Sequence, residues 1–148
     1  MERYDRHTKA GADMSDSLLP EPFSIQTAKL KSPLALAYLG DTVWDLLIRQ
    51  RLLTGGLPAG ALHRRAILLA NAGAQAEAVA RIEPFLSPEE ADVLRRGQNA
   101  HAHHRAPKNQ DPVNYSRATG LEALMGYLYL TGQTARIAEL FDIGVPIL

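Results

Sequence analysis

From residue 32 onward, the chain consists of apolar segments with helical periodicity, separated by short polar breaks. Ser32-Pro33 places an N-cap residue before a proline at the first helical position, and Gly55-Gly56 ends the apolar segment that follows. These signals predict a first, strongly apolar helix of about 22 residues. A second helical segment is predicted over residues 59–82, because the proline at position 84 cannot continue it.

Three more helices are predicted from their start signals. Ser87-Pro88-Glu89-Glu90 forms a capping box with proline at the first helical position, and Gly97 closes the short helix that follows. Asp111-Pro112 repeats the cap-then-proline pattern and opens a helix to about residue 130. Thr134 can then cap a last helix through Phe141. Because the sequence holds no clear alternating strand pattern followed by a turn, the predicted fold class is all-α.

Two segments lack an apolar period. Residues 1–28 mix charged residues with Gly, Ser and Pro, so we expect a flexible N-terminal tail ahead of one domain over residues 29–148. A chain of 148 residues has room for one ordinary domain. Residues 97–110 carry Gly, Pro, Asn and three histidines but little apolar content, which predicts an exposed loop. Long loops of this kind in small domains are often functional.

The composition narrows the chemistry. Hydrophobic residues make up 46% of the chain and charged residues 22%, which is typical of a globular protein. The absence of cysteine excludes disulfides, thiolate catalysis and cysteine-ligated metal sites. No stretch approaches the roughly 18 apolar residues that cross a bilayer, and the first residues lack a signal-peptide core. We therefore expect a cytoplasmic protein without a membrane partner.

The net charge is zero, because 16 basic residues balance 16 acidic ones. The total charge therefore gives no argument for a polyanionic partner. The local charge differs from the total charge. Positions 95–117 contain one acid, Asp111, and five basic residues: Arg95, Arg96, Arg105, Lys108 and Arg117. This part of the chain is predicted to form a cationic patch, to which His101, His103 and His104 add charge at lower pH.

Three acids stand out against apolar helices. Asp41 and Asp45 lie four residues apart in the first helix, so they share one face and are either exposed to solvent or joined by a cation. Glu122 is the one ionisable acid in residues 119–130, and it must reach water, pair with a cation or bind a metal. Oxygen ligands from separate helices suit Mg²⁺, whereas the spacing of the three histidines is poor for zinc.

Two segments resemble the ribonuclease III family. Residues 35–43 (ALAYLGDTV) resemble the signature helix of that family, and residues 121–129 (LEALMGYLY) resemble its second acidic helix. Three shorter segments resemble the Mini-ribonuclease III branch, which lacks a separate double-stranded-RNA-binding domain: LHR at 62–64, RGQNA at 96–100 and PKNQD at 107–111. The likeness runs from about residue 32 to residue 141.

The resemblance implies a ribonuclease III-like helical endonuclease domain that forms a homodimer and cuts double-stranded RNA with Mg²⁺. It further implies 5′-phosphate and 3′-hydroxyl products, and precursor large-subunit (23S) ribosomal RNA as the usual substrate. By their positions, Asp41 and Glu122 match the acidic metal ligands and catalytic residues of the family. Ala37 and Thr119 replace two further acids of full-length relatives. Asp45 and Thr119 are expected to orient the metal ligands or metal-bound water without binding the metal themselves.

The predicted RNA contacts are basic or amide side chains, because double-stranded RNA is recognised by shape and by phosphate and 2′-hydroxyl contacts. They are His63, Arg64, Arg95, Arg96, Asn99, Lys108, Asn109 and Arg117. Each could equally be a solubilising surface residue when taken alone. For the dimer, we expect contact surfaces on the apolar first helix and on the helix that carries Gly126 and Tyr127.

The sequence leaves three functions open. The first is a magnesium-dependent endoribonuclease in which each protomer cuts one strand. The alternative is a non-catalytic helical RNA-binding or ribosome-associated dimer that has lost turnover, and its only support is the absence of acids at positions 37 and 119. A helical protein-interaction adaptor would show no RNA binding even at low salt.

Overall fold

A computed structural model describes residues 21–100 and 107–146. Within them the chain forms seven α-helices, and a short 3₁₀ helix, Glu83–Phe85, joins the fourth helix to the fifth. The helices are α1 Ile25–Lys29, α2 Pro33–Leu53, α3 Ala59–Ala70, α4 Ala72–Ile82, α5 Pro88–Asn99, α6 Pro112–Leu130 and α7 Thr134–Gly144. The described part of the chain contains no strand, which confirms the predicted all-α fold.

The predicted helix starts are confirmed by their caps. The Ser32 hydroxyl accepts a hydrogen bond from the Ala35 N–H at 3.1 Å at the start of α2. The capping box of α5 is complete, because Ser87 and Glu90 each accept a hydrogen bond from the other's backbone N–H. The Asp111 carboxylate accepts from the first free N–H groups of α6, so these short signals fix where each helix begins.

The prediction of one continuous helix over residues 59–82 is wrong, because this segment forms two helices, α3 and α4, that meet at Asn71. This residue has extended backbone, and its side-chain oxygen accepts from the Ala74 N–H at 2.9 Å, so it caps α4. The predicted end of α5 at Gly97 is also wrong, since the helix continues to Asn99. A Cβ at Gly97 would lie 2.8 Å from the Ala123 Cβ, so this glycine permits close helix packing rather than helix termination.

Helical structure packed on the core begins before residue 29, the expected start of the domain. Helix α1 covers Ile25–Lys29, and its Ala28 is fully buried. The Phe23 N–H donates to the Leu130 carbonyl at 2.6 Å, which ties the chain to the end of α6. Residues 1–20 lie outside the described residues, as do positions 101–106 with the three histidines of the predicted loop.

Helix α6 lies at the centre of the fold and packs against α2, α4, α5 and α7. Its side chains from Ala118 to Leu128 are buried, with Glu122 as the partly exposed exception. The core also includes Trp44 of α2, whose indole packs edge-to-face on Phe141 of α7. None of the helices described is long and apolar enough to cross a membrane.

Candidate active site

Two glycines bring the backbones of α2 and α6 into contact. A Cβ on Gly40 would lie 1.6 Å from the Glu122 carbonyl oxygen, and one on Gly126 would lie 2.0 Å from the Leu36 carbonyl oxygen. Only hydrogen atoms fit at these two positions. Because Asp41 directly follows Gly40, this crossing places the predicted acid of α2 beside the predicted acid of α6.

The carboxyl groups of Asp41 and Glu122 meet and share a hydrogen bond. Burial of the Glu122 carboxyl, together with the hydrogen bond and the negative charge of Asp41, raises the pKa of Glu122 to about 8. No basic side chain of the described residues contributes an opposing effect on this pKa. Without a cation, the pair therefore retains one proton at neutral pH.

The donor set suits a divalent cation that takes the place of the shared proton. Two carboxylates from separate helices offer hard oxygen ligands of the kind that Mg²⁺ and similar ions bind. The described residues hold no group of three or more His, Cys, Asp or Glu side chains that could bind a metal. Two protein carboxylates leave most coordination positions of such an ion open to water and to substrate oxygens.

The neighbours of the pair are small or already hydrogen-bonded. Ala37 and Thr119, at the positions where the resemblance expects two further acids, are both buried. The Thr119 hydroxyl donates to the Tyr115 carbonyl at 3.0 Å, and Asp45 accepts from the Arg49 Nε at 2.8 Å. The supporting roles assigned to Asp45 and Thr119 stay predictions.

Half of the eight predicted RNA-binding residues lie where α5 meets α6. Gly97 and Gly120 let these helices approach closely, and the Ser116 hydroxyl donates to the Gln98 carbonyl at 2.7 Å. Four of the predicted residues lie on these neighbouring helix ends: Arg95, Arg96 and Asn99 on α5, and Arg117 on α6. Arg95 pairs with Asp92 and is exposed.

The other predicted RNA contacts fall into two places. Lys108 and Asn109 are exposed and directly precede α6, and Asn109 has a left-handed backbone with φ of 74°. His63 and Arg64 are exposed on α3, which packs mainly on α2 and α4. The predicted RNA-binding set is thus divided between two parts of the fold.

The structure corrects one predicted dimer surface. Gly126 contacts the α2 backbone of its own chain, and Tyr127 is fully buried in the core, so neither is available to a second copy. The other predicted dimer surface, on the apolar helix that is now α2, remains available to a second copy. Tyr38 is 85% exposed there, and Leu34, Leu46 and Leu53 of the same helix are exposed as well.

Sequence reasoning missed the function of Gly40, although its position beside Asp41 in an apolar helix was a usable signal. It also missed the pairing of Arg51 with Asp142, since these residues are 91 positions apart. Charge patterns in sequence report neighbours along one helix, whereas this pair depends on how α2 and α7 pack.

Carboxylates that can hold a divalent cation beside a phosphate are typical of metal-dependent phosphoryl-transfer enzymes such as nucleases, and here α2 and α6 bring two of them together. The family model of the ribonuclease III domain matches residues 34–133. Mini-ribonuclease 3 from Symbiobacterium thermophilum is 48% identical over 111 residues, which cover 74% of this chain and 85% of the relative. Mini-ribonuclease 3 from Thermoanaerobacter sp. is 41% identical over 118 residues, which cover 79% of this chain and 82% of the relative.

A solved structure agrees with these matches. The crystal structure of protein FN1578 from Fusobacterium nucleatum has a TM-score of 0.71 and 28% sequence identity, and the alignment covers 80% of this chain and 94% of that one. The chain belongs to the ribonuclease III family and is an endoribonuclease of that family. The resemblance to the Mini-ribonuclease III branch of this family is thereby confirmed.

Proposed function

We propose that this enzyme cleaves double-stranded RNA in a Mg²⁺-dependent reaction and matures the ends of precursor 23S ribosomal RNA. The observation that carries the proposal is the contact between the Asp41 and Glu122 carboxyls at the α2–α6 crossing. The ribonuclease III family acts on double-stranded RNA, is generally divalent-metal dependent and typically dimerises. The relatives named Mini-ribonuclease 3 support the same reaction for this chain.

Asp41 and Glu122 are the residues that would hold the ion. When bound, Mg²⁺ supplies positive charge next to the scissile phosphate and acidifies a water molecule. Asp41 is exposed and Glu122 is partly buried, so the pair has one side open to a substrate and the other fixed in the core. A carboxylate pair without an ion would repel an RNA phosphate, which is the electrostatic reason to expect strict metal dependence.

The duplex would be held by the α5–α6 end of the domain. Arg95, Arg96 and Arg117 provide positive charge there, and Asn99 provides an amide donor. Such side chains can contact phosphates and 2′-hydroxyls along a wide minor groove without reading bases. Lys108 and Asn109, which precede α6, would extend this surface.

Two active sites are needed to cut both strands, so the proposal includes a homodimer. Each chain carries one carboxylate pair, and a two-fold axis would repeat it once for the second strand. The exposed apolar face of α2, with Leu34, Tyr38, Leu46 and Leu53, is the surface we assign to this contact. This face flanks Asp41 on the same helix, so dimerisation and the active site would be adjacent.

The test uses purified protein and an internally labelled RNA hairpin, with and without Mg²⁺. Fragments should appear only with Mg²⁺, and Asp41→Asn and Glu122→Gln should each reduce the rate at least about 100-fold. Glu77→Gln, which removes an exposed carboxylate from α4, is the matched control and should cut normally. Metal-independent binding without fragments would instead favour a non-catalytic RNA-binding dimer.

The choice of substrate needs a second comparison. A hairpin formed by the paired ends of a 23S precursor should be cut at one site in each strand and faster than a generic duplex of equal length. Equal rates and scattered cuts on both RNAs would contradict the ribosomal assignment and leave the endoribonuclease assignment intact.

A further inference from the structure

Helix α3 lies loosely on the fold and leaves a large cavity beside it. Ala66 is the only buried residue of this helix. On one side, the α3 residues Ala61, Arg64, Arg65 and Leu68 line a cavity of about 780 Å³ that is open to solvent. The end of α2 and the C-terminal part of the fold, with Asp142 and Pro146, form its other walls. The four α3 residues are spaced as one helical face, so the helix presents a continuous wall to the cavity.

Three arginines and one aspartate line this cavity. Three contacts hold Arg51 in place. Its guanidinium pairs with Asp142 and donates to the Val145 carbonyl at 2.7 Å. The guanidinium carbon lies 4.5 Å from the centre of the Phe141 ring. Arg64 and Arg65 are exposed, and neither forms an ion pair with an acid of the described residues. The cavity therefore carries an excess of two positive charges on side chains that are free to bind an anion.

The remaining wall is apolar. Leu57, Leu68 and Pro146 line the cavity, and both leucines are exposed. A phosphate alone would need only the arginines, whereas a nucleotide also offers a flat base that gains from apolar contact. The size agrees with this reading, because ligand cavities commonly measure about 300–1,000 Å³ and a rigid RNA duplex is too wide to enter one.

We propose that this cavity binds one unpaired nucleotide, with the phosphate on Arg64 and Arg65 and the base against Leu57 and Leu68. The nucleotide can come from a single-stranded extension of the RNA substrate or from a free nucleotide. Arg51 follows Asp41 by ten residues in α2, which is about 15 Å along the helix axis. A strand leaving the duplex near the active site would reach the cavity within a few nucleotides. Only this first source rests on the function proposed above.

The first experiment measures binding of adenosine 5′-monophosphate by calorimetry. The wild-type protein should bind it, and the double variant Arg64→Gln/Arg65→Gln should bind at least about tenfold more weakly, because two charge-assisted contacts are lost. The variant Lys29→Gln/Lys31→Gln removes the same charge from the segment that precedes the opposite end of α2, and it should bind as the wild type does. Equal affinity in all three proteins would overturn the proposal.

The second experiment identifies the source. In the Glu122→Gln background, which prevents cleavage, the affinity for a blunt duplex is compared with that for the same duplex carrying a short single-stranded extension. An extension that tightens binding about tenfold, and loses this advantage in the Arg64→Gln/Arg65→Gln variant, assigns the cavity to substrate RNA. Binding of adenosine monophosphate without an extension effect assigns it to a free nucleotide.

If neither probe responds to the two arginines, the cavity does not bind nucleotides and the inference is wrong. Cleavage of the blunt duplex by the wild-type enzyme reports on the proposed function separately. An enzyme that cuts the blunt duplex but shows no arginine-dependent binding would retain its function and lose this site. A protein that binds the mononucleotide through Arg64 and Arg65 but cuts no duplex would retain the nucleotide site and contradict the proposed function.

Discussion

Gly40 of α2 and Gly126 of α6 lie on the same helix crossing, and each is in contact with the backbone of the opposite helix. The two proposed metal ligands are anchored to this crossing, because Asp41 directly follows Gly40 and Glu122 precedes Gly126 by four residues, which is about one turn. The distance between the carboxyl groups is therefore set by the closeness of two backbones. Fold stability and active-site geometry depend on the same contact.

The first prediction concerns Gly40→Ala. The new methyl group would lie 1.6 Å from a backbone oxygen that no side-chain rotation can move, so α2 and α6 must separate. We expect the free energy of unfolding to fall by about 3 kcal/mol or more, and the remaining folded protein to cut RNA slowly. Denaturant unfolding followed by circular dichroism measures the first effect.

Gly60→Ala is the matched control. Gly60 is also helical, but a Cβ there would meet no atom within 4 Å. Alanine has the higher helix propensity, so this variant should be as stable as the wild type or more stable by up to about 1 kcal/mol. If Gly40→Ala behaves like Gly60→Ala, the close crossing is not what positions the two acids.

The sequence predicted the elements of this fold better than their contacts. Caps such as Ser32, Ser87 and Asp111 act within four residues, so their hydrogen bonds could be predicted without knowing the tertiary structure. Asn71 was missed because its flanking residues continue a helical pattern across the break. Gly97 was misassigned because a glycine that ends a helix and one that allows close packing look identical in sequence.

The site was predicted in part for a similar reason. The isolation of Glu122 in an apolar helix indicated that its carboxylate needs water, a cation or a metal, but the pattern alone did not decide among the three. Its contact with Asp41 was expected from the family resemblance and depends on two glycines in different helices. No single-helix pattern encodes the angle at which α2 and α6 cross.

The second prediction uses the raised pKa of Glu122. The ordinary value is 4.5 and the folded value is about 8, so the folded protein keeps a proton that the unfolded chain releases between these two pH values. Stability from this group is therefore present below about pH 4.5, declines as pH rises to about 8, and stays reduced above that. Without metal, Glu122→Gln should have the higher melting temperature at pH 8.5, by about 5 °C, and little advantage at pH 5.

Thermal unfolding in the presence of a chelator measures this difference. Glu77→Gln, on the exposed face of α4, should leave both melting curves nearly unchanged. Addition of Mg²⁺ should reduce the advantage of Glu122→Gln at pH 8.5, since the ion would replace the shared proton of the wild-type pair. An advantage that is equal at pH 5 and pH 8.5 would contradict a raised pKa.

The third prediction concerns Glu90, which is only 6% exposed. Its carboxylate accepts two hydrogen bonds from Arg136 at 2.9 Å each and one from the Ser87 N–H at 2.8 Å. Glu90→Gln breaks this pair and should cost about 2–3 kcal/mol at neutral pH. Glu139→Gln removes only the exposed partner of Arg136 and should have a much smaller effect.

The pH dependence of this pair has the opposite sign to that of Glu122. The hydrogen bonds from Arg136 hold the pKa of Glu90 below its ordinary value of 4.5. The stability it provides is complete above about pH 4.5 and is lost as pH falls through the lowered pKa. The difference in the free energy of unfolding between wild type and Glu90→Gln, measured by urea unfolding, should therefore become smaller at acidic pH. A difference that grows there would show that Arg136 does not stabilise the ionised form.

The last prediction concerns the affinity for Mg²⁺. Asp41 and Glu122 are two carboxylates, and the described residues add no third metal-binding side chain. An ion held by two protein ligands keeps several waters and binds weakly until substrate phosphates replace some of them. The Mg²⁺ concentration that gives half-maximal cleavage should thus fall about tenfold when RNA is raised from far below to far above its KM, because the two bind cooperatively.

Thr119→Asp tests the same argument from the protein side. Position 119 lies one turn before Glu122 on α6, so an aspartate there would offer a third carboxylate to the same ion. Because Thr119 is buried, the variant should be less stable without metal and should regain stability on Mg²⁺ addition. It should also need less Mg²⁺ for half-maximal cleavage and show a weaker dependence on RNA. Tight, stoichiometric Mg²⁺ binding to the RNA-free wild type in calorimetry would contradict this account, since two carboxylates would then suffice without the substrate.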